Sequence, residues 1–293
     1  MPGSPLEDLV QPDAIIKKSR LRAVFGRDRK AQVGLIILAL FVLTALLAPF
    51  IAPFDPNEMS LDMMSQPSVN NWLGTDDLGR DLLSRIIWGT QISLLVGVST
   101  VALALVAGVA LGVIAGYYGG WIDNIIMRYI DLQWAFPNFI IAVYLVAVFG
   151  TGLLNVIVAI ALAFLDDFAR IARSMVLTLK EEQFVDAARV QGFSDARIMF
   201  YHILPNALAP LIVQATVSVS YAILGEASLS FLGLGVNPNT PTWGLILADG
   251  RSFISQAWWL GVYPGFAIML VVLSINFVGD GLRDALDVRE NET

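Results

Sequence analysis

Six runs of this chain are apolar over lengths that match a lipid bilayer, and a membrane-crossing helix needs roughly 20 such residues at 1.5 Å rise each. They are Val33–Phe50, Ile92–Gly116, Trp134–Phe149, Leu154–Ala172, Ala209–Leu229 and Trp258–Val278. The fourth is interrupted by Asp166 and Asp167. Ordinary soluble domains carry about a quarter charged residues; here 15% are charged and 56% hydrophobic, so the bilayer, not water, is the solvent that selects the fold. The reading is an all-α integral membrane protein of six transmembrane helices, with almost all of its 293 residues used in spans and short connections. There is no cysteine and one histidine, which excludes disulfides, thiolate chemistry and Cys- or His-rich metal sites.

Lys and Arg are retained on the cytoplasmic side of a membrane, so their distribution sets orientation. Counting alternate sides from the N-terminus places fifteen of the eighteen on one side. Seven precede Val33, and Arg170, Arg173, Lys180, Arg189 and Arg197 lie between the fourth and fifth spans. The other side holds Arg80, Arg85 and Arg251. Both termini and the polar segment between the fourth and fifth spans are therefore expected in the cytoplasm. The net charge of −7 carries little weight beside this asymmetry. The division is a basic tail over 1–32, a first helix over 33–54, an outer loop over 55–91, a five-helix core over 92–278 and a cytoplasmic tail over 279–293. Some thirty polar and basic residues before a run of spanning length are not a cleavable signal peptide. Trp258 and Trp259 suit an interfacial aromatic belt.

The segment 181–205, EEQFVDAARVQGFSDARIMFYHILP, carries the most specific local pattern. Ala187 and Ala188 are small enough to let a helix sit close against a partner, and Gly192 permits the backbone to break after it. Leu204-Pro205 ends the excursion, with Pro205 suited to the first turn of the fifth membrane helix. An interfacial amphipathic helix has the same local features. His202 lies in this segment, without companions for metal or acid–base work. A second pattern, Gly74-Thr-Asp-Asp-Leu-Gly79-Arg80-Asp81, copies the glycine frame of a phosphate loop but has Arg80-Asp81 where Lys and Ser/Thr are required, and carboxylates inside it. The chain is expected to bind no ATP.

Ionisable groups in hydrocarbon are costly and usually face a cavity or a partner. Glu226, Asp166 and Asp167 are the candidates for a translocation path. Both aspartates are within helical reach of Arg170, which favours an intrahelical pair, and Arg128 is expected to pair with Asp131.

Five blocks extend the pattern: NWLGTDDLGRDLLSR at Asn71–Arg85, GYYGGWIDNIIMRYID at Gly116–Asp131, AARVQGFSDARIMFYHILPNALAPLIVQ at Ala187–Gln214, EASLSFLGLGVNPNTPTWG at Glu226–Gly244 and NFVGDGLRDALD at Asn276–Asp287. With them the chain resembles the C-type permease of dipeptide, oligopeptide and nickel ABC importers. In that family the "EAA" loop couples the membrane domain to its motor, and Asp186, Ala187, Ala188, Gly192, Leu204 and Pro205 match it; the acidic first position is Asp186, where many members have Glu. The resemblance implies a bacterial or archaeal cytoplasmic membrane and half a pore. It implies a second homologous permease, two cytoplasmic ATPases that hold ATP and Mg, and an extracytoplasmic solute-binding protein. No cofactor is expected on this chain and no nucleic acid among its partners. Di- or oligopeptides are the expected cargo, with nickel chelates, glutathione, opines or oligosaccharides open within the same fold. An ion-driven secondary transporter using Asp166, Asp167 or Glu226 is the rival class; an intramembrane enzyme lacks a visible nucleophile–base pair.

Overall fold

The computed structural model describes residues 28–286. Most of the basic tail, with Lys17 to Arg27, and the last residues with Asp287 and Arg289, lie outside the described residues. Within them the chain is helical, with one isolated antiparallel bridge between Thr75 and Asp81. The helices are α1 (Arg29–Ile51), α2 (Leu82–Tyr118), α3 (Gly120–Trp134), α4 (Asn138–Phe149), α5 (Leu153–Leu179), α6 (Gln183–Val190), α7 (Asp195–Arg197), α8 (Leu204–Phe231), α9 (Trp243–Gly250) and α10 (Trp259–Leu286). A π-helical turn, Ile198–Ile203, joins α7 to α8.

Four helical bodies are long and apolar enough to cross a membrane: α1, α2, the continuous stretch Asp195–Phe231, and α10. The third expected span is different. Trp134 ends α3, Pro137 blocks helical continuation, and α4 departs at 91°. With twelve residues α4 is about 18 Å long, short of a bilayer, so Trp134–Phe149 is not one straight span; only together with α3 is α4 long and apolar enough, as a broken span or a re-entrant loop. The remaining body, α5, has 27 residues and sufficient length, but carries Asp166, Asp167, Arg170 and Arg173.

α2 is the spine. Its 37 residues reach about 55 Å, and Gly108, Gly112 and Gly116 form a ridge at four-residue spacing on which α5 lies backbone to backbone. A Cβ built on Gly112 would stand 2.2 Å from the Ala169 carbonyl oxygen. The main core fills the space between α2, α4, α5 and α8, from Val101 and Val156 at one end to Val185, Ile198 and Ile203 at the other. A second cluster joins α8, α9 and α10 around Trp243 and Val271.

Three boundaries move. The first helix, expected over 33–54, is α1, Arg29–Ile51. Residues 279–286, expected as the start of a tail, are the final turns of α10, and Leu82–Gln91, expected in the outer loop, is the first part of α2. The connection between α8 and α10 hides α9, whose Trp243 is buried and donates its indole N–H to the Ile86 carbonyl at 3.2 Å. Trp259 is likewise internal rather than interfacial: its indole N–H donates to the Thr75 carbonyl at 3.1 Å, a partner that a buried Trp requires. Trp258 is half exposed and fits a belt.

Candidate coupling and translocation elements

The segment after α5 folds as helix, break, helix. α6 ends in a paired-hydrogen-bond cap: Gly192 N–H donates to Arg189 O at 2.9 Å, and Phe193 N–H to Ala188 O at 3.2 Å. That geometry demands a left-handed residue, and Gly192 has φ +76°. α6 turns Val185 and Ala188 into the main core, so its base is fixed. Its other face projects outward: Asp186 is 67% exposed, Val190 is 88% exposed, and Ala187 and Phe184 lie beside them. The two alanines therefore do different jobs, Ala188 packing inward and Ala187 facing away.

Leu204 opens α8 with Pro205 in its first turn, as expected, but without a gap before it. Residues 195–231 form one helical body, and the π turn Ile198–Ile203 sits immediately before Pro205. Proline has no N–H to return and its ring crowds the carbonyl four residues back, and the wider π turn relieves both. His202 stacks on Phe193 with centroids 5.6 Å apart, and Arg197 covers the same phenyl ring at 4.2 Å. Its role here is packing.

At the other end of α2, the glycine-framed loop turns its carboxylates onto arginines. Asp76 accepts from Arg80 Nε at 2.6 Å and lies 3.5 Å from Arg85 Nη1, while Asp249 of α9 lies 3.3 Å from Arg85 Nη2 and 3.5 Å from Arg80 Nη2. Asp81 caps α2, accepting from Ser84 N–H at 2.8 Å. Buried ion pairs of this kind close a loop; they do not cradle a phosphate.

The expected pairs along α5 are replaced. Arg170 does not pair with Asp166 or Asp167; it donates to Asp131 at 2.8 Å and lies 4.4 Å over the Trp134 ring. Asp131 is thereby taken from Arg128. Arg173 binds Asp123 through two hydrogen bonds of 2.6 Å. These cross-helix pairs hold α3 against α5 where the bend at Pro137 would otherwise free it. They were missed because a sequence offers neighbours in the same helix first, whereas the α3–α5 crossing offers shorter ones.

Asp166 is fully buried, with neither carboxylate oxygen hydrogen-bonded, and Gln133 Oε1 is likewise unpartnered; the Gln133 amide meets the Leu162 carbonyl one turn away. Asp167 lies on a different face, in line with Ile160, Ala163 and Phe164, which border a cavity of about 270 Å³ between α4, α5 and α8. Asn138, Tyr221 and Ser228 supply polar groups to that cavity. Glu226 is 1% exposed and does not border it: its Oε1 accepts from Ser230 at 2.7 Å and from Thr242, the N-cap of α9, at 2.8 Å. The placement makes Glu226 a brace between α8 and α9.

A family description, binding-protein-dependent transport system inner membrane component, matches residues 108–291. The chain belongs to that family. Residues 20–67 match the N-terminal membrane domain of oligopeptide transport permease C. Among curated relatives, the chain is 48% identical to the dipeptide transport system permease protein DppC of Alkalihalophilus pseudofirmus, over 89% of this chain and 86% of that one. It is 46% identical to the di/tripeptide transport system permease protein DppC of Pseudomonas aeruginosa, over 90% and 89%. It is 43% identical to the glutathione transport system permease protein GsiD of Pectobacterium atrosepticum, over 90% and 88%. Among solved structures, a chain of the inward-facing MetNI methionine ABC transporter superposes with a TM-score of 0.58 at 20% identity, over 70% of this chain and 97% of that one. The fold is therefore that of a type I importer permease.

Proposed function

We propose that this chain is one of two pore-forming subunits of an ATP-driven importer of dipeptides and short oligopeptides. In this reading both termini lie in the cytoplasm. Two separate ATPase subunits bind and hydrolyse ATP with Mg, a second homologous permease completes the pore, and a solute-binding protein delivers cargo on the side of the 55–81 loop. The chain itself supplies no cofactor site. The observation that carries the reading is α6: a short helix whose base is locked into the bundle by Val185 and Ala188 while Phe184, Asp186, Ala187 and Val190 face outward. Such a knob can transmit a push from a docked partner without being deformed by it. The relatives named for dipeptide and di/tripeptide transport support the choice of cargo.

The path through this subunit is assigned to the cavity between α4, α5 and α8, with Asn138, Tyr221 and Ser228 as neutral polar contacts and Asp167 one turn beyond Ala163 and Phe164 on the same face of α5. A carboxylate in an otherwise apolar wall favours a peptide's ammonium end over its carboxylate end. Asp166, buried one turn from the Leu162 carbonyl that meets the Gln133 amide of α3, is assigned to the wall behind that cavity.

Deletion of the gene in a strain with no other peptide importer tests the reading. Growth on a dipeptide that supplies a required amino acid should stop and return with a plasmid copy. Loss of glutathione uptake with unchanged dipeptide uptake would replace the substrate assignment.

A further inference from the structure

The last turn of α2 touches the coupling segment twice. The Tyr117 hydroxyl donates to Asp195 Oδ1 at 2.8 Å, and Arg189, itself 3.2 Å from Asp186, interacts with the same hydroxyl. One residue earlier, the Gly116 carbonyl accepts from Lys180 Nζ at 3.2 Å. Lys180 precedes α6 and Asp195 follows its break, so consecutive residues of α2 hold the coupling helix from both sides. Neither contact belongs to the outward face of α6, and neither is needed to close the core.

We propose that Tyr117 is a positioning residue that passes displacement of α6 into α2, an inference that rests on the coupling reading above. α2 is built to carry such a displacement. It is a single helix without an internal proline, and its glycine ridge binds it along α5 so that the two move together. At its far end Asp81 caps it and Arg85 enters the cluster with Asp76 and Asp249 that closes the 55–81 loop onto α9. A shift applied at Tyr117 therefore arrives about 50 Å away at the ion pairs that hold that loop shut. Through Arg189, the same hydroxyl is also linked to Asp186, on the face where the ATPase would dock.

Tyr117→Phe removes only the hydroxyl. The assembled importer, purified with its partner subunits and placed in proteoliposomes, is assayed for radiolabelled dipeptide uptake and ATP hydrolysis in one preparation. Partner subunits should be retained and hydrolysis should stay within about twofold of wild type, while dipeptide imported per ATP falls about three- to tenfold. Asp195→Ala should give a similar fall, and the double variant no further loss, because both remove one link. An unchanged ratio, multiplicative losses in the double variant, or parallel loss of hydrolysis, uptake and thermal stability would overturn the inference and leave Tyr117 a structural residue. A wild-type assembly without ATP-driven uptake would overturn the coupling reading itself, a separate outcome.

Discussion

Single side chains decide several roles that charge counting leaves open. Glu226 reads in sequence as a carboxylate in hydrocarbon and hence as a candidate for the path. The fold surrounds it with the hydroxyls of Ser230 and Thr242 and with the backbone of Gly244, where a Cβ would stand 3.1 Å from Oε2. Nothing in the order of residues announces Thr242 as its partner, because sixteen residues and a turn separate them. Glu226→Gln keeps an oxygen for both hydroxyls and should leave thermal stability within about 1 kcal/mol of wild type. Uptake of N-acetylated and free peptides should change alike. Glu226→Leu strands two buried hydroxyls and should cost about 2–4 kcal/mol, read as a lower melting temperature in detergent. Arg85 is 1% exposed and flanked by Asp76 and Asp249; Arg85→Met should cost about 3–5 kcal/mol because it leaves buried carboxylates short of a partner.

At the scale of elements, apolar length and the glycine break were legible, and what lies between elements was not. The run 181–205 showed its helix, its break at Gly192 and its second helix because capping chemistry is local. It showed Pro205 in the first turn of α8, but hid that Ala188 faces inward and that a π turn joins α7 to α8 without a gap, since that turn is a response to packing and proline together. Gly108, Gly112 and Gly116 carry a spacing that marks close helix contact, and the ridge could have been read from sequence. α9 could not: eight residues within a loop rich in Pro, Asn and Gly give too weak a signal until Trp243 is seen anchored to Ile86. Gly192→Val places a β-branched residue at φ +76° with open space around it, so the strain is conformational. It should unseat α6, lowering ATP-driven uptake at least tenfold while insertion and α8 remain intact, as followed by uptake and by protease protection. Gly112→Leu should instead force α2 from α5 and cost about 3 kcal/mol, measured as thermal stability of the assembly.

For the whole molecule, orientation rests on the partition of Lys and Arg, and the cysteine-free chain makes it directly testable. With Leu61→Cys, 96% exposed in the 55–81 loop, a membrane-impermeant thiol reagent should label intact cells. Ala196→Cys, beyond the break at Gly192, should be labelled only after permeabilisation. The reverse pattern would invert the topology. The central claim is that this chain moves peptides only as part of an ATP-powered assembly, with α6 as the contact. Its most direct measurement compares radiolabelled dipeptide uptake by proteoliposomes holding the full assembly with that by proteoliposomes holding this chain alone under a proton or sodium gradient. Accumulation should require the assembly, the binding protein and ATP inside or outside as orientation dictates, and the chain alone should show none. Gradient-driven accumulation by the chain alone would contradict the account.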